Sequence, residues 1–378
     1  MALVQTNFIS EQQASGAQVI DGSLHFDGGT GNDGQDTYLT KTPSSAGDQR
    51  TWTVSIWLKR TTLTNSVDAY VWESNPTPEN SGVYFEQAGQ LVFKGYASDA
   101  FTWRLQTTRL FRDTGWYHVV FVFDSTESTS TDRLKLYVNG VLETAFDNAD
   151  YPSLNLQAGW NNNVAQFIGA YRNPSNHYDG HMSQFYNIDG QALDASYFGF
   201  TDPLTNTWRP KKFDIRAQVA KNPNNGTTWS NSLTTNAGDN FDGSGAKTKA
   251  FDGDGSNKAF TANNSDGTTQ GTSYLEMVFP SAISGALRVK CDNGNTVRNT
   301  TGGGDVLLAT QSTGSDNQFV DCGTVSGLTN LRVLMSGGSR PAISIIELDG
   351  YVFIDGAIDN SFYLPMDGNS PIGQDQSG

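Results

Sequence analysis

Cysteine is almost missing from this 378-residue chain. The two present, Cys291 and Cys322, are too few for a disulfide scaffold and are not spaced as a zinc site, so they form one bridge or none. Positive charge is scarce too: 24 Lys and Arg stand against 39 Asp and Glu, a formal net charge of −15, with no basic cluster. A nucleic-acid backbone would be repelled across most of such a surface, which argues against nucleic acid as a partner. No segment approaches the ~20 consecutive apolar residues of a membrane span, so no membrane insertion is expected. The opening MALVQTNFISEQQASG has neither a basic start nor a continuous apolar core, so no export signal is expected there.

Catalytic spacing is absent as well. Glycoside cleavage needs two carboxylates held roughly 5 to 10 Å apart, often two or four residues apart on one strand. Glu73, Glu86 and Glu143 instead sit singly in separate strand-like stretches, and His25, His118, His177 and His181 lack a G-x-S-x-G nucleophile partner. The chain is therefore expected not to be an enzyme.

What is abundant is glycine (40) and aromatic side chain (8 Trp, 14 Tyr, 21 Phe), among many Asn, Ser and Thr. That texture suits short strands joined by turns and leaves little for long helices. The organising stretch is 116–140, WYHVVFVFDSTESTSTDRLKLYVNG. Trp116 to Asp124 is apolar on both alternating faces, as a central strand is, and Leu134, Leu136 and Val138 alternate with polar neighbours as a half-buried strand. Asn139-Gly140 supplies the positive-φ pair of a tight hairpin. Trp52, Val54, Ile56 and Leu58 alternate on a further inner strand, and strand signals recur at 70–73, 83–86, 91–96, 101–107 and 166–171.

The Trp-x-His strand, the polar loop, the Tyr-Val-Asn-Gly ending and the stretch Tyr178 to Leu193 resemble, in the same order, the laminin-G-like jelly roll of the concanavalin-A-like superfamily. The resemblance spans about 22–200 and implies binding of glycans or proteins. From its core position beside Trp116, it implies a buried, hydrogen-bonded His118.

A second texture follows. Ala250-Phe251-Asp252-Gly253-Asp254, Tyr274 to Phe279, Ile283 to Lys290 and Ser344 to Tyr351 resemble the discoidin-like, galactose-binding jelly roll, although Lys258-Ala259-Phe260 stands where that family has Thr-x-Trp. The fold expected is all-β, with tandem antiparallel β-sandwich (jelly-roll) domains: an N-terminal arm 1–21, a laminin-G-like sandwich 22–200, a connector 201–211, a discoidin-like sandwich 212–356, and 357–378 as a tail or the start of a further module. Phe362 to Gly368 repeats the pattern of Leu24 to Gly28, so the polypeptide is expected to continue past Gly378 into another such sandwich, or else to pair this segment with the second domain's edge.

Two ligand sites are expected. The discoidin-like resemblance implies a structural calcium on Asp252, Asp254, Asn257 and Glu347, and closely spaced Asp and Asn oxygens in a Gly-rich loop are what a hard cation requires. The alternative is an ordinary Asp-Gly turn. Trp160, Asn162, Tyr171, Asn173, His177 and Tyr178 combine rings with amides as a sugar site does, or else pack their loops. The whole resembles virion proteins of marine tailed bacteriophages. That resemblance implies virion localisation, host-surface glycan and other virion proteins as partners, and homo-oligomers, trimeric in a fibre. A bacterial cell-surface adhesin and a head decoration protein are the alternatives.

Overall fold

The alternation along Thr51–Arg60 builds the first unit: Trp52, Val54, Ile56 and Leu58 all point inward and are fully buried. The computed structural model describes residues 18–28, 37–63, 66–75, 79–172, 175–236, 239–263, 273–335 and 340–377. Most of the N-terminal arm, the loop 29–36 and Asn173 lie outside the described residues. Among those described, strands dominate and Ile215–Val219 is the one α-helix.

By contacts the chain divides into two units, the first made of 1–44, 49–219 and 360–378, the second of 45–48 and 220–359. The first holds two antiparallel seven-stranded sheets. One runs Leu24–Phe26, Gly180–Asp189, Thr51–Arg60, Tyr117–Asp124, Leu134–Val138 and Val141–Leu142. The other runs Phe146–Asp150, Ala100–Leu110, Gln90–Ala97, Asn80–Phe85, Ala69–Ser74, Gln166–Ile168 and Leu39–Lys41. Their inner faces share one core in which Trp52 stacks on Phe123 at 5.1 Å and meets Trp72 edge-on at 5.8 Å. Asn139 (φ 48°) and Gly140 (φ 78°) make the expected tight turn.

The seventh strand of the first sheet is Phe362–Leu364, expected from sequence to open a further sandwich or to pair with the second domain's edge. It pairs with Phe185–Asn187 on the same edge where Leu24–Phe26 pairs with Gly180–Met182. The sequence repeat thus has a cause in the topology, because both segments pair along one edge of the same strand. Phe362 stacks on Phe185 at 5.6 Å and Tyr363 on Tyr186 at 4.3 Å.

Residues 201–219 also belong to the first unit. Leu193, Phe198, Phe213 and Ile215 pack on Val120, Val122, Tyr186 and Ile188, so the outer face of the first sheet gains a small core of its own. That explains why both faces of the Tyr117–Asp124 strand are apolar.

The second unit is one eight-stranded antiparallel sheet. Its long strands, Leu275–Cys291 and Gln318–Met335, bend at register shifts near Val278, Ile283 and Ala286 and bury one face around Leu287, Leu331 and Ile346. Cys291 and Cys322 are both buried and free, and burial pushes each thiol up to about 12.

Candidate functional site

Strand alternation that buries Trp52 and Val54 turns Trp57 outward. In register it lies between Ser183 on one neighbouring strand and His118 on the other. The connector then lays Trp208 over this row. Its indole lies against the backbone at Gly140 and Gly199, where a Cβ would sit 2.3 Å from ring atoms, so both positions need glycine. Trp57, His118 and Trp208 form a stack with centroid separations of 5.0 and 5.9 Å.

Beside the stack opens a cavity of about 500 Å³. Trp57, Trp116 and Trp208 line it, with Gln18, Asp21, Ser23, Ser183 and Arg209 as polar groups. Hydrogen bonds fix its walls: Gln18 N donates to the Pro210 carbonyl at 2.9 Å, and Ser183 Oγ donates to the Gly22 carbonyl at 3.0 Å. Trp116 is 40 % exposed, so its ring is available from solvent. At the rim, His181 lies 6.4 Å from Trp116 and 4.8 Å from His25, ring to ring, with its Nδ1 3.1 Å from Ser23 Oγ. Partial burial, then His25 and Lys59, hold His181 below the ordinary histidine value. Asp21 is the one carboxylate among the described lining residues, whereas glycoside cleavage uses two.

His118 is fully buried, as expected, and burial depresses its pKa to about 3. Trp208 Nε1 donates to Nδ1, which assigns the remaining ring proton to Nε2, 2.9 Å from Ser55 Oγ.

Among the described residues, the sugar-site residues expected from sequence do not all lie together. Trp160 is fully buried against Trp72 and donates to Asn187 Oδ1 at 2.8 Å, so its ring faces no solvent. Tyr178 is likewise core. Asn162 is half-buried, in a loop whose Asn161 is tied to Asn187 and Asp189. Tyr171 and His177 lie instead by the outer face of the second sheet, Tyr171 4.7 Å from Tyr70 and His177 6.0 Å from Tyr38, ring to ring. Trp57, Trp116 and Trp208, which line the cavity, are not among the site residues expected from sequence. The available signal was a tryptophan on the wet side of a clean alternation.

In the second unit Asp252, Asp254 and Asn257 do share a loop, where the Asn257 amide donates to both carboxylates at 2.8 and 3.2 Å. Glu347 pairs with Arg288 at 3.1 Å, and Lys290 Nζ lies 2.8 Å from where a Cβ on Gly255 would sit. Among the described residues, no group of three or more His, Cys, Asp or Glu is gathered closely enough to hold a metal. Of the four expected ligands, the structure thus brings Asp252, Asp254 and Asn257 together in one loop and pairs Glu347 with Arg288.

Residues 33–195 match the laminin-G family profile described as the concanavalin A-like lectin/glucanases superfamily, so this part of the chain is a domain of that superfamily. No curated protein sequence matches the chain. Similar solved structures include the heptameric SAP-like pentraxin of Limulus polyphemus (17 % identity, 47 % of this chain and 80 % of that one, TM-score 0.34). The Ruminococcus gnavus IT-sialidase CBM40 is similar at 14 % identity (42 % and 95 %, TM-score 0.29). Domains LG4-5 of the mouse laminin alpha1 chain are similar at 11 % identity (94 % and 92 %, TM-score 0.32).

Proposed function

We propose that the protein is a non-catalytic carbohydrate-binding protein that holds a sugar in the pocket between Trp57, Trp116 and Trp208. One observation carries this reading: three indoles, one of them 40 % exposed, line a cavity of about 500 Å³ together with hydroxyl, amide, guanidinium and carboxylate groups. Aromatic faces stack on the C–H face of a pyranose, while convergent polar groups fix its hydroxyls. The superfamily match over 33–195 supports the same class of ligand. The single lining carboxylate supports binding without cleavage.

On this reading the protein works on the surface of a tailed-bacteriophage particle, in several copies, as a tail fibre or other appendage touching host glycan or neighbouring virion subunits. The acidic surface, the nearly all-β architecture and the Gly/Asn/Ser-rich turns support it. A glycan array tests the first half, where a defined set of glycans should bind the parent protein and lose binding in Trp116→Ala. Mass spectrometry of purified particles tests the second, and recovery from the surface of uninfected bacteria would point to an adhesin instead.

A further inference from the structure

On the outer face of the second sheet, three adjacent strands bring Glu73, Asn80 and Lys94 together, with relative exposures of 0, 1 and 2 %. Lys94 Nζ donates to Glu73 Oε1 at 2.7 Å, and Asn80 Nδ2 donates to the same oxygen. Two donors on one oxygen lie no more than two hydrogen-bond lengths apart, roughly 5 to 6 Å. Gly82 faces both Glu73 and Lys94 in register, and a Cβ there would overlap Glu73 Oε2, so the glycine makes the room. The rings of Tyr70 and Tyr96 cover the ammonium at 5.6 and 5.9 Å. Among the described residues Asn80 Oδ1 and Glu73 Oε2 have no hydrogen-bond partner, an expensive way to bury polar atoms if structure were their only purpose.

We propose that Lys94 and Asn80 join in an intramolecular isopeptide bond, with Glu73 as the proton carrier. Lys94 passes a proton to Glu73 Oε1, and the freed Nζ lone pair attacks Cγ of Asn80, pushing the carbonyl electrons onto Oδ1. Glu73 delivers its proton to Nδ2, the intermediate collapses, the Cγ–Nδ2 bond breaks and ammonia leaves. The second proton on Nζ passes back to Glu73, which ends as a neutral acid. No oxidant or co-reactant is consumed. Burial drives the pair in this direction, pushing the Glu73 carboxyl up and the Lys94 amine down. The product ties two neighbouring strands covalently, independently of what the tryptophan pocket binds.

Mass spectrometry of the intact purified protein tests this. The parent should be lighter than its sequence by one ammonia, about 17 Da, and digestion should yield a branched peptide joining Asn80 to Lys94. Glu73→Gln, close to isosteric, should keep the full mass and release the two residues in separate peptides. A succinimide elsewhere shifts the mass alike, so the branched peptide decides. Separate Asn80 and Lys94 peptides from the parent would overturn the proposal, as would a loss of about 18 Da with Lys94 joined to Glu73.

Discussion

Trp208 Nε1 donates to His118 Nδ1 at 3.0 Å, which ties the connector to the central strands of the first sheet and holds one wall of the tryptophan pocket. The bond needs a neutral imidazole, because a protonated ring has no acceptor nitrogen. Burial meets that need, lowering the His118 pKa from 6.5 to about 3.

The sign of the resulting pH dependence follows. The unfolded chain takes up a proton on this histidine below about pH 6.5, whereas the folded chain resists until about pH 3. His118 therefore contributes no pH slope above about 6.5, and below it stability falls by up to about 1.4 kcal/mol per pH unit until the folded value is reached. Chemical denaturation of the first unit across that window should show this slope, and His118→Gln should flatten it. A parent whose stability is constant from pH 7 to 4 would contradict the assignment.

Phe362 closes the sheet edge from far along the chain, 5 % exposed and stacked on Phe185. Phe362→Ala should cost about 3 to 5 kcal/mol, the usual range for a buried phenylalanine. Calorimetry should register the loss in the transition of the first unit and leave that of the second in place.

How much was legible in the sequence follows from which interactions are local. Strand alternation is local, so the Trp52–Leu58 face and the Asn139-Gly140 turn could be read directly, whereas the buried His118 followed from the family resemblance rather than from the alternation. The fate of Trp160 could not, because a Gly/Asn-rich loop has the same composition whether it faces solvent or, as here, buries Asn161 against Asn187 and Asp189. The tryptophan pocket was hidden for a related reason. Trp57, Trp116 and Trp208 come from three separate segments, and only the folding back of the connector over Gly140 and Gly199 assembles them. The repeat between Leu24–Gly28 and Phe362–Gly368 was visible, but that both strands share one edge is a property of topology.

The calcium expectation for Asp252, Asp254, Asn257 and Glu347 has a direct test. As the loop stands, the Asn257 amide lies on both carboxylates and Arg288 answers Glu347, so millimolar calcium is predicted to leave the melting of the second unit unchanged relative to a chelator. A rise of several degrees that Asp252→Ala abolishes would show the loop re-forming around an ion.

The central claim is that a sugar occupies the pocket between three particular indoles, and the indole N–H resonances report on it one residue at a time. A nitrogen-15 NMR titration with the glycan bound most tightly on the array should shift the signals of Trp57, Trp116 and Trp208. Those of the core residues Trp52, Trp72, Trp103 and Trp160, and of Trp229 in the second unit, should stay in place. In Trp116→Ala the affinity should fall about tenfold, roughly 1.4 kcal/mol, with the fold intact. A glycan that binds while these three signals stay still, or no glycan that binds at all, would contradict the account.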